Sequence, residues 1–251
     1  DEKFGDKRRT KIKTIELVEY NAEDFIEYED AYLVVSKNGW LRKFKNVTEP
    51  STLKYKENDG VLATVKANTR ELVAFFTSRG MVYVFKLYNL PYTRAGFGEP
   101  IQNLFKFADG EKVISMLSLD PAELATAAGQ AFLGGDSSNQ PSRQTRLSFA
   151  GENKGGLEGM VVGSSGYGFR FPLSNLTETT RSGRKLMTLK DNDRIVGFSL
   201  VTGDRLFMAS DNGKGIVIPV EQVSVLTGAG MGSRLIKLIN SSLAGFKITN
   251  I

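Results

Sequence analysis

One pattern occurs four times in this chain of 251 residues: an apolar strand, a polar turn centred on glycine, then a second strand holding an aromatic or basic residue. The copies read YLVVSKNGWLRKFKNV, LVAFFTSRGMVYVFKLYNLP, GMVVGSSGYGFRFPLSNL and LFMASDNGKGIVIPVEQV. Their turn glycines are Gly39, Gly80, Gly166 and Gly213, spaced 41, 86 and 47 residues apart. A tight hairpin turn needs a positive φ, which glycine adopts at little cost. Hairpins recurring every 40 to 50 residues are the signature of propeller blades, each burying its faces against its neighbours. A β-sandwich with ordinary glycine turns is the alternative on pattern alone.

The apolar runs of strand length lie at residues 31–35, 72–76, 81–85, 159–162, 205–208 and 215–220, bounded by Gly, Asn, Asp and Ser. The one helical candidate is the Ala-rich stretch Pro121–Phe132. The long middle spacing reflects an insertion at about 122–156, rich in Ala, Gly, Ser, Asn and Gln. A strand run at 146–149 inside it reads as a displaced edge strand, and residues 241–251 read as part of an incomplete fifth blade.

After each hairpin comes a second recurring element. It is LPYTRAGFG after the second copy, TRSGRKL after the third and GAGMGSR after the fourth; after the first, Lys54-Tyr55-Lys56 stands there without glycines. Glycine lets backbone N–H groups approach a ligand, and adjacent Arg or Lys supplies charge for phosphate. Four such loops at one phase predict a row of basic loops along one rim. The candidate cations are Lys43, Lys45, Lys54 and Lys56 in the first repeat, and Arg79, Lys86 and Arg94 in the second. The third supplies Arg170, Arg181, Arg184 and Lys185, and the fourth Lys214, Arg234 and Lys237. Residues 31–66 hold seven basic and three acidic side chains. For any single lysine a solvated strand face is the bland reading; the set as a whole points to phosphate. Trp40 reads as packed in a blade, whereas Tyr92 and Phe97 lie inside a basic loop. The net charge of +5 adds little.

Composition removes several function classes. The chain has no Cys and no His, so disulfides, thiolate metal sites, Cys nucleophiles and a Ser-His-Asp triad are excluded. Gly166-Tyr167-Gly168 lacks the spacing of a nucleotide-binding fingerprint, and there is no Walker-type loop. No run approaches the roughly 18 apolar residues of a membrane span. The opening Asp1-Glu2-Lys3 is unlike a secretory leader and reads as the start of a piece of something longer.

The stretches SKNGWLRKFK, TRAGFGEP, SSGYGFRFPLSNL with RSGRKLMTL, and MASDNGKGIVIPV, in that order, resemble the C-terminal domain of bacterial type IIA topoisomerase A subunits. FGDKRRTKI near the start resembles the segment that closes the preceding breakage-reunion region. The resemblance implies an all-β pinwheel of about five blades with exchanged strands, spanning 15–251 after a tail at 1–14. It implies sequence-tolerant binding and bending of double-stranded DNA around the perimeter, with no catalysis and no cofactor in this chain. ATP and Mg²⁺ would be used elsewhere in the holoenzyme. The partners implied are the holoenzyme's ATPase subunit, together with the N-terminal part of the same polypeptide, in the cytoplasm at the nucleoid and away from membranes. The glutamine-led, Arg- and Gly-rich box of gyrase is missing, so topoisomerase IV is favoured over a gyrase-type DNA-wrapping domain. A propeller-like protein-interaction module is the rival from another class. A carbohydrate-active propeller would need clustered carboxylates at matching blade positions, and none is evident.

Overall fold

The computed structural model describes residues 26–47, 49–132 and 156–250. They form four antiparallel sheets, the blades of a propeller-like array. Blade 1 is built from β1 (Asp30–Ser36), β2 (Trp40–Phe44) and β3 (Val61–Asn68), and blade 2 from β4 (Leu72–Thr77), β5 (Met81–Lys86) and β7 (Val113–Ser118). Blade 3 holds β8 (Glu158–Gly163), β9 (Tyr167–Pro172) and β11 (Ile195–Leu200); blade 4 holds β12 (Arg205–Ser210), β13 (Gly215–Pro219) and β15 (Leu243–Thr249). Within each blade the hairpin's first strand is central, pairing with the second strand on one side and the later third strand on the other. The third strands neighbour one another from blade to blade: β3 beside β7, β7 beside β11, and β11 beside β15.

The repeated glycine turn is one structure made four times. Gly39, Gly80, Gly166 and Gly213 have φ of 81, 76, 79 and 80°. Each N–H donates to the carbonyl three residues back, at 3.0, 3.1, 3.0 and 3.0 Å. This is the three-residue hairpin loop that ends in a left-handed residue.

Between hairpins the chain steps back to the preceding blade. Short strand β6 (Glu99–Pro100), which follows the second hairpin, pairs with β2 of blade 1. After the third hairpin, β10 (Arg184–Lys185) pairs with β5 of blade 2; after the fourth, β14 (Ser233–Arg234) pairs with β9 of blade 3. Blade 4 has three strands and no such visitor among the described residues.

Strands buried on both faces explain the unbroken apolar runs. In β4, Val73 and Phe75 pack toward blade 1, while Ala74 and Phe76 pack toward blade 3. Phe75 stacks on Phe85 at 5.6 Å with Phe105 edge-on at 6.2 Å, and Phe76 stacks on Phe198 at 4.0 Å. A third cluster, including Met160, Val162, Leu206 and Met208, joins blades 3 and 4.

The helix expected at 121–132 forms over Pro121–Phe132. Pro121 takes its first position, and Asp120 caps it by accepting from Ala122 N–H at 2.9 Å. One expectation is corrected. The C-terminal run is not an incomplete fifth blade: β15 pairs along β12 and supplies the third strand of blade 4, as β3, β7 and β11 do in theirs. The tail at 1–14 and the run at 146–149 lie outside the described residues. No described helix is long and apolar enough to cross a membrane.

Candidate nucleic-acid interface

The basic loops have a structural role. Gly98, Gly183 and Gly232 each precede an exchange strand with φ of 90, 67 and 75°. A Cβ on Gly98 would overlap the Leu41 carbonyl and one on Gly232 the Gly168 carbonyl; on Gly183 it would lie 2.6 Å from the Tyr83 ring. These three glycines let backbone approach the preceding blade, where the sequence pattern suggested approach to a ligand. Gly96 and Gly228 have open space around them.

Exchange is locked by a bond that recurs in every filled blade. The residue after each short strand donates its N–H to the turn glycine of the blade it visits. Ile101 donates to Gly39 O at 2.9 Å, Leu186 to Gly80 O at 2.8 Å and Leu235 to Gly166 O at 2.9 Å. All three side chains are buried.

The fourteen candidate cations separate into three groups. Lys43 is only 3% exposed; its Nζ donates to Leu87 O at 3.1 Å and sits 4.4 Å over the Tyr92 ring, and burial lowers its pKa. Arg170 is committed to Glu158 at 2.8 Å and to Val223 O at 3.0 Å. Neither presents its charge to a surface ligand, so both leave the candidate set. Strand alternation does not separate them from their neighbours, because β2 is covered on both faces.

A second group lies nearer the surface but is engaged. Arg181 donates to Leu104 O at 3.1 Å and Asn103 O at 2.5 Å, and Arg184 to Asn175 O, which ties loops of adjacent blades. Arg79 donates to Asp109 O. Lys45 pairs with Glu29 at 2.9 Å, and Glu29 is held below the usual carboxylate range by hydrogen bonds from Tyr92 and Lys45. Lys56 lies 3.6 Å over Trp40, and half-buried Lys86 lies 5.9 Å from Tyr88. Such contacts hold a side chain in place and leave its charge at the surface. Tyr92 is packed among these groups, whereas Phe97 is exposed.

In the third group no side chain has a hydrogen bond or ion pair to a described residue: Lys54, Arg94, Lys185, Lys214, Arg234 and Lys237, all exposed. Lys185 and Arg234 lie on the outermost strands of blades 2 and 3, and Lys214 stands just before the outer strand of blade 4. Arg94 lies in the loop leading to β6, and Lys54 and Lys237 in loops of blades 1 and 4. One cation escaped the sequence reading. Lys190 sits 4.4 Å over Tyr167, the residue after turn glycine Gly166, as Lys56 sits over Trp40 after Gly39. Its signal was its place at the end of RSGRKLMTLK. Among the described residues no cluster of three or more His, Cys, Asp or Glu side chains could hold a metal.

With this geometry in place, comparison with known proteins is informative. Residues 71–120, 160–202 and 204–240 match the family model described as DNA gyrase C-terminal domain, beta-propeller. The A subunit of DNA gyrase from Escherichia coli K12 is 28% identical over 94% of this chain and 24% of its own length. That of Dehalogenimonas lykanthroporepellens is 24% identical over 96% of this chain and 33% of its own length. The chain thus spans about a quarter to a third of these curated relatives. The solved C-terminal domain of E. coli ParC superposes with a TM-score of 0.66 at 22% identity, covering 87% of this chain and 78% of that one. A DNA topoisomerase IV C-terminal domain gives 0.67 at 17% identity, covering 88% and 62%. With the family model matching slightly more than half of its length, and with four described blades of which three are completed by strand exchange, the chain belongs to the DNA gyrase C-terminal domain, beta-propeller family.

Proposed function

We propose that this chain binds double-stranded DNA through its phosphates and bends it. As the C-terminal domain of a type IIA topoisomerase's A subunit, it would thereby present DNA segments for strand passage. The observation that carries this reading is the set of six exposed cations without protein partners, distributed over all four blades on outer strands and connecting loops. Contacts of that kind position a duplex without reading its sequence. A propeller-like array would space such contacts along an arc, and a duplex meeting several of them would bend, at a cost of about 1–6 kcal/mol for 40–90°. The domain contributes binding and no chemistry, and needs no cofactor; ATP and Mg²⁺ serve the rest of the holoenzyme, in the cytoplasm at the nucleoid. Its partners there are the N-terminal part of its own polypeptide and the holoenzyme's ATPase subunit.

A topoisomerase IV role is favoured over gyrase-type wrapping. The segment after the first hairpin, where gyrase carries its Arg- and Gly-rich box, here reads LKYKENDG and folds onto its own blade, with the Tyr55 ring 4.8 Å from the Arg42 guanidinium. The gyrase names of the curated relatives keep wrapping as the second reading. Ligation of nicked circular DNA with the domain bound separates the two. Small linking-number changes fit bending; large positive shifts fit wrapping and would overturn the topoisomerase IV assignment.

A further inference from the structure

We propose that Lys56 on Trp40 and Lys190 on Tyr167 form matched platforms, one in blade 1 and one in blade 3, each holding an ammonium group in place for a backbone phosphate of duplex DNA. The inference rests on the DNA-binding reading and assigns two of its contacts to a structure that recurs in alternate blades.

A turn repeated before every third strand builds the platforms. Asn58, Gly110, Asn192 and Asn240 have φ of 58, 71, 64 and 51°, and each stands three residues before the start of β3, β7, β11 or β15. The residue just before each of those strands accepts from the N–H two residues ahead of the blade's turn glycine. These bonds run from Lys37 N–H to Gly60 O at 2.9 Å, Ser78 to Lys112 O at 2.8 Å, Ser164 to Arg194 O at 2.8 Å and Asp211 to Ser242 O at 3.0 Å. Each turn is thereby tied to the tip of its own blade's hairpin.

Blades 1 and 3 share more than that bond. Their turns read KENDGV from Lys56 and KDNDRI from Lys190. The aspartate after the asparagine clamps the hairpin tip: Asp59 accepts from Asn38 N–H and Asp193 from Ser165 N–H, both at 3.0 Å. Each donor is the residue before the turn glycine. The lysine two places before the asparagine is thus set over the aromatic residue after that glycine. Its Nζ lies 3.6 Å from the Trp40 ring centre in blade 1 and 4.4 Å from that of Tyr167 in blade 3. Phe97 flanks Lys56 at 5.7 Å, and Lys190 also donates to the Tyr167 hydroxyl at 3.4 Å. In blade 2 the same two positions hold Ala108 and Met81, and in blade 4 Leu238 and Lys214, so neither can make the pair.

An ammonium resting on a ring face keeps N–H donors that the ring does not satisfy, and both lysines are exposed. Phosphate oxygens are strong acceptors for such donors. A lysine on a free stem loses rotamer freedom when it makes that contact, whereas here the ring and the clamped turn have already fixed it. Lys54, two residues from Lys56 and also exposed, has no ring beneath it among the described residues and serves as the internal comparison. Two such points with blade 2 between them would hold one duplex across three blades.

The test measures the affinity of the whole protein for a short labelled duplex at one fixed salt concentration. Lys56→Gln and Lys190→Gln are each expected to weaken binding about tenfold, a loss of about 1.4 kcal/mol, against about threefold for Lys54→Gln. In a Trp40→Leu background Lys56→Gln should cost only what a free lysine costs, whereas a Trp40→Phe background should keep the larger cost. Urea unfolding checks that both backgrounds stay folded. Trp40 is the chain's one tryptophan, and its emission should shift along the same binding curve. Equal costs for Lys56→Gln with and without the ring, costs at Lys56 and Lys190 no greater than at Lys54, or an unresponsive Trp40 would each overturn the platforms while duplex binding stands. Failure of the unmodified protein to bind any duplex would instead remove the DNA-binding reading, and the platforms with it.

Discussion

Blades 1 and 4 are the first and last of the four described blades, built from the same hairpin, and they finish differently. Blade 1 has its fourth strand and a cover. The loop at 53–60 brings Tyr55 to 4.8 Å from the Arg42 guanidinium, Lys56 onto Trp40, and Asp59 to accept from Asn38 N–H at 3.0 Å. Among the described residues blade 4 has neither, and three of its large apolar side chains face solvent. The hairpin alone therefore does not complete a blade; the visiting Gly-x-x-aliphatic segment does.

The contrast between the two ends breaks most visibly at packed positions. Leu41→Ala, in the buried centre of blade 1, should cost about 2–5 kcal/mol in urea unfolding, whereas Val217→Ala in blade 4 should stay within about 0.5 kcal/mol. Comparable costs at both ends would show that blade 4 is covered in solution. The glycines sharpen the same contrast. Gly98→Ala forces a methyl group into the Leu41 carbonyl and should cost on the order of 3 kcal/mol, but Gly213→Ala only the roughly 1–2 kcal/mol of an unfavourable φ.

Cations in one hairpin region should separate by burial. Lys43→Ala is expected to lower stability by about 1–3 kcal/mol, as loss of a buried hydrogen-bonding group does, and to leave the salt dependence of DNA binding unchanged. Lys54→Ala should do the opposite, reducing the log–log salt slope by about 0.9 with little change in unfolding. If Lys43→Ala flattens the slope, its assignment to the interior is wrong.

The smallest effect concerns pH. Burial raises the Asp193 pKa, but donation from Ser164, Ser165 and the Arg194 N–H outweighs it, and the net shift is below the ordinary 3.8. A depressed folded value means stability that is fully present above 3.8 and lost as pH falls through the lower folded pKa. Asp193→Asn should therefore lower stability at neutral pH and flatten the acid limb of a stability–pH curve, and an unchanged limb would remove Asp193 from that role.

Much of the fold was legible in the sequence, for reasons that also mark where legibility ended. The four turn glycines could be read because φ near +80° excludes most other residues. The exchange strands could not: two residues such as Glu99 and Pro100 carry no alternation, and their glycines looked like ligand-binding loops. The third strands went unassigned because each pairs with a hairpin many residues earlier, so β15 resembled a new blade. In WLRKFK, Lys43 and Lys45 read alike as candidate cations, yet Lys43 is buried, as is Arg42, while Lys45 is exposed. Charge type was visible there; which cations reach solvent depended on Tyr55 and Tyr92, brought in by later loops.

The exposed cations should hold DNA by its phosphates, and on this the proposed function stands or falls. The affinity for a short duplex of arbitrary sequence, measured across a range of salt concentrations, tests it most directly. If all six unpartnered cations engage, log K against log salt should fall with a slope of about −5, and the slope should scarcely change when the duplex sequence is scrambled. A slope near zero, or binding confined to one sequence, would contradict phosphate-held, sequence-tolerant binding.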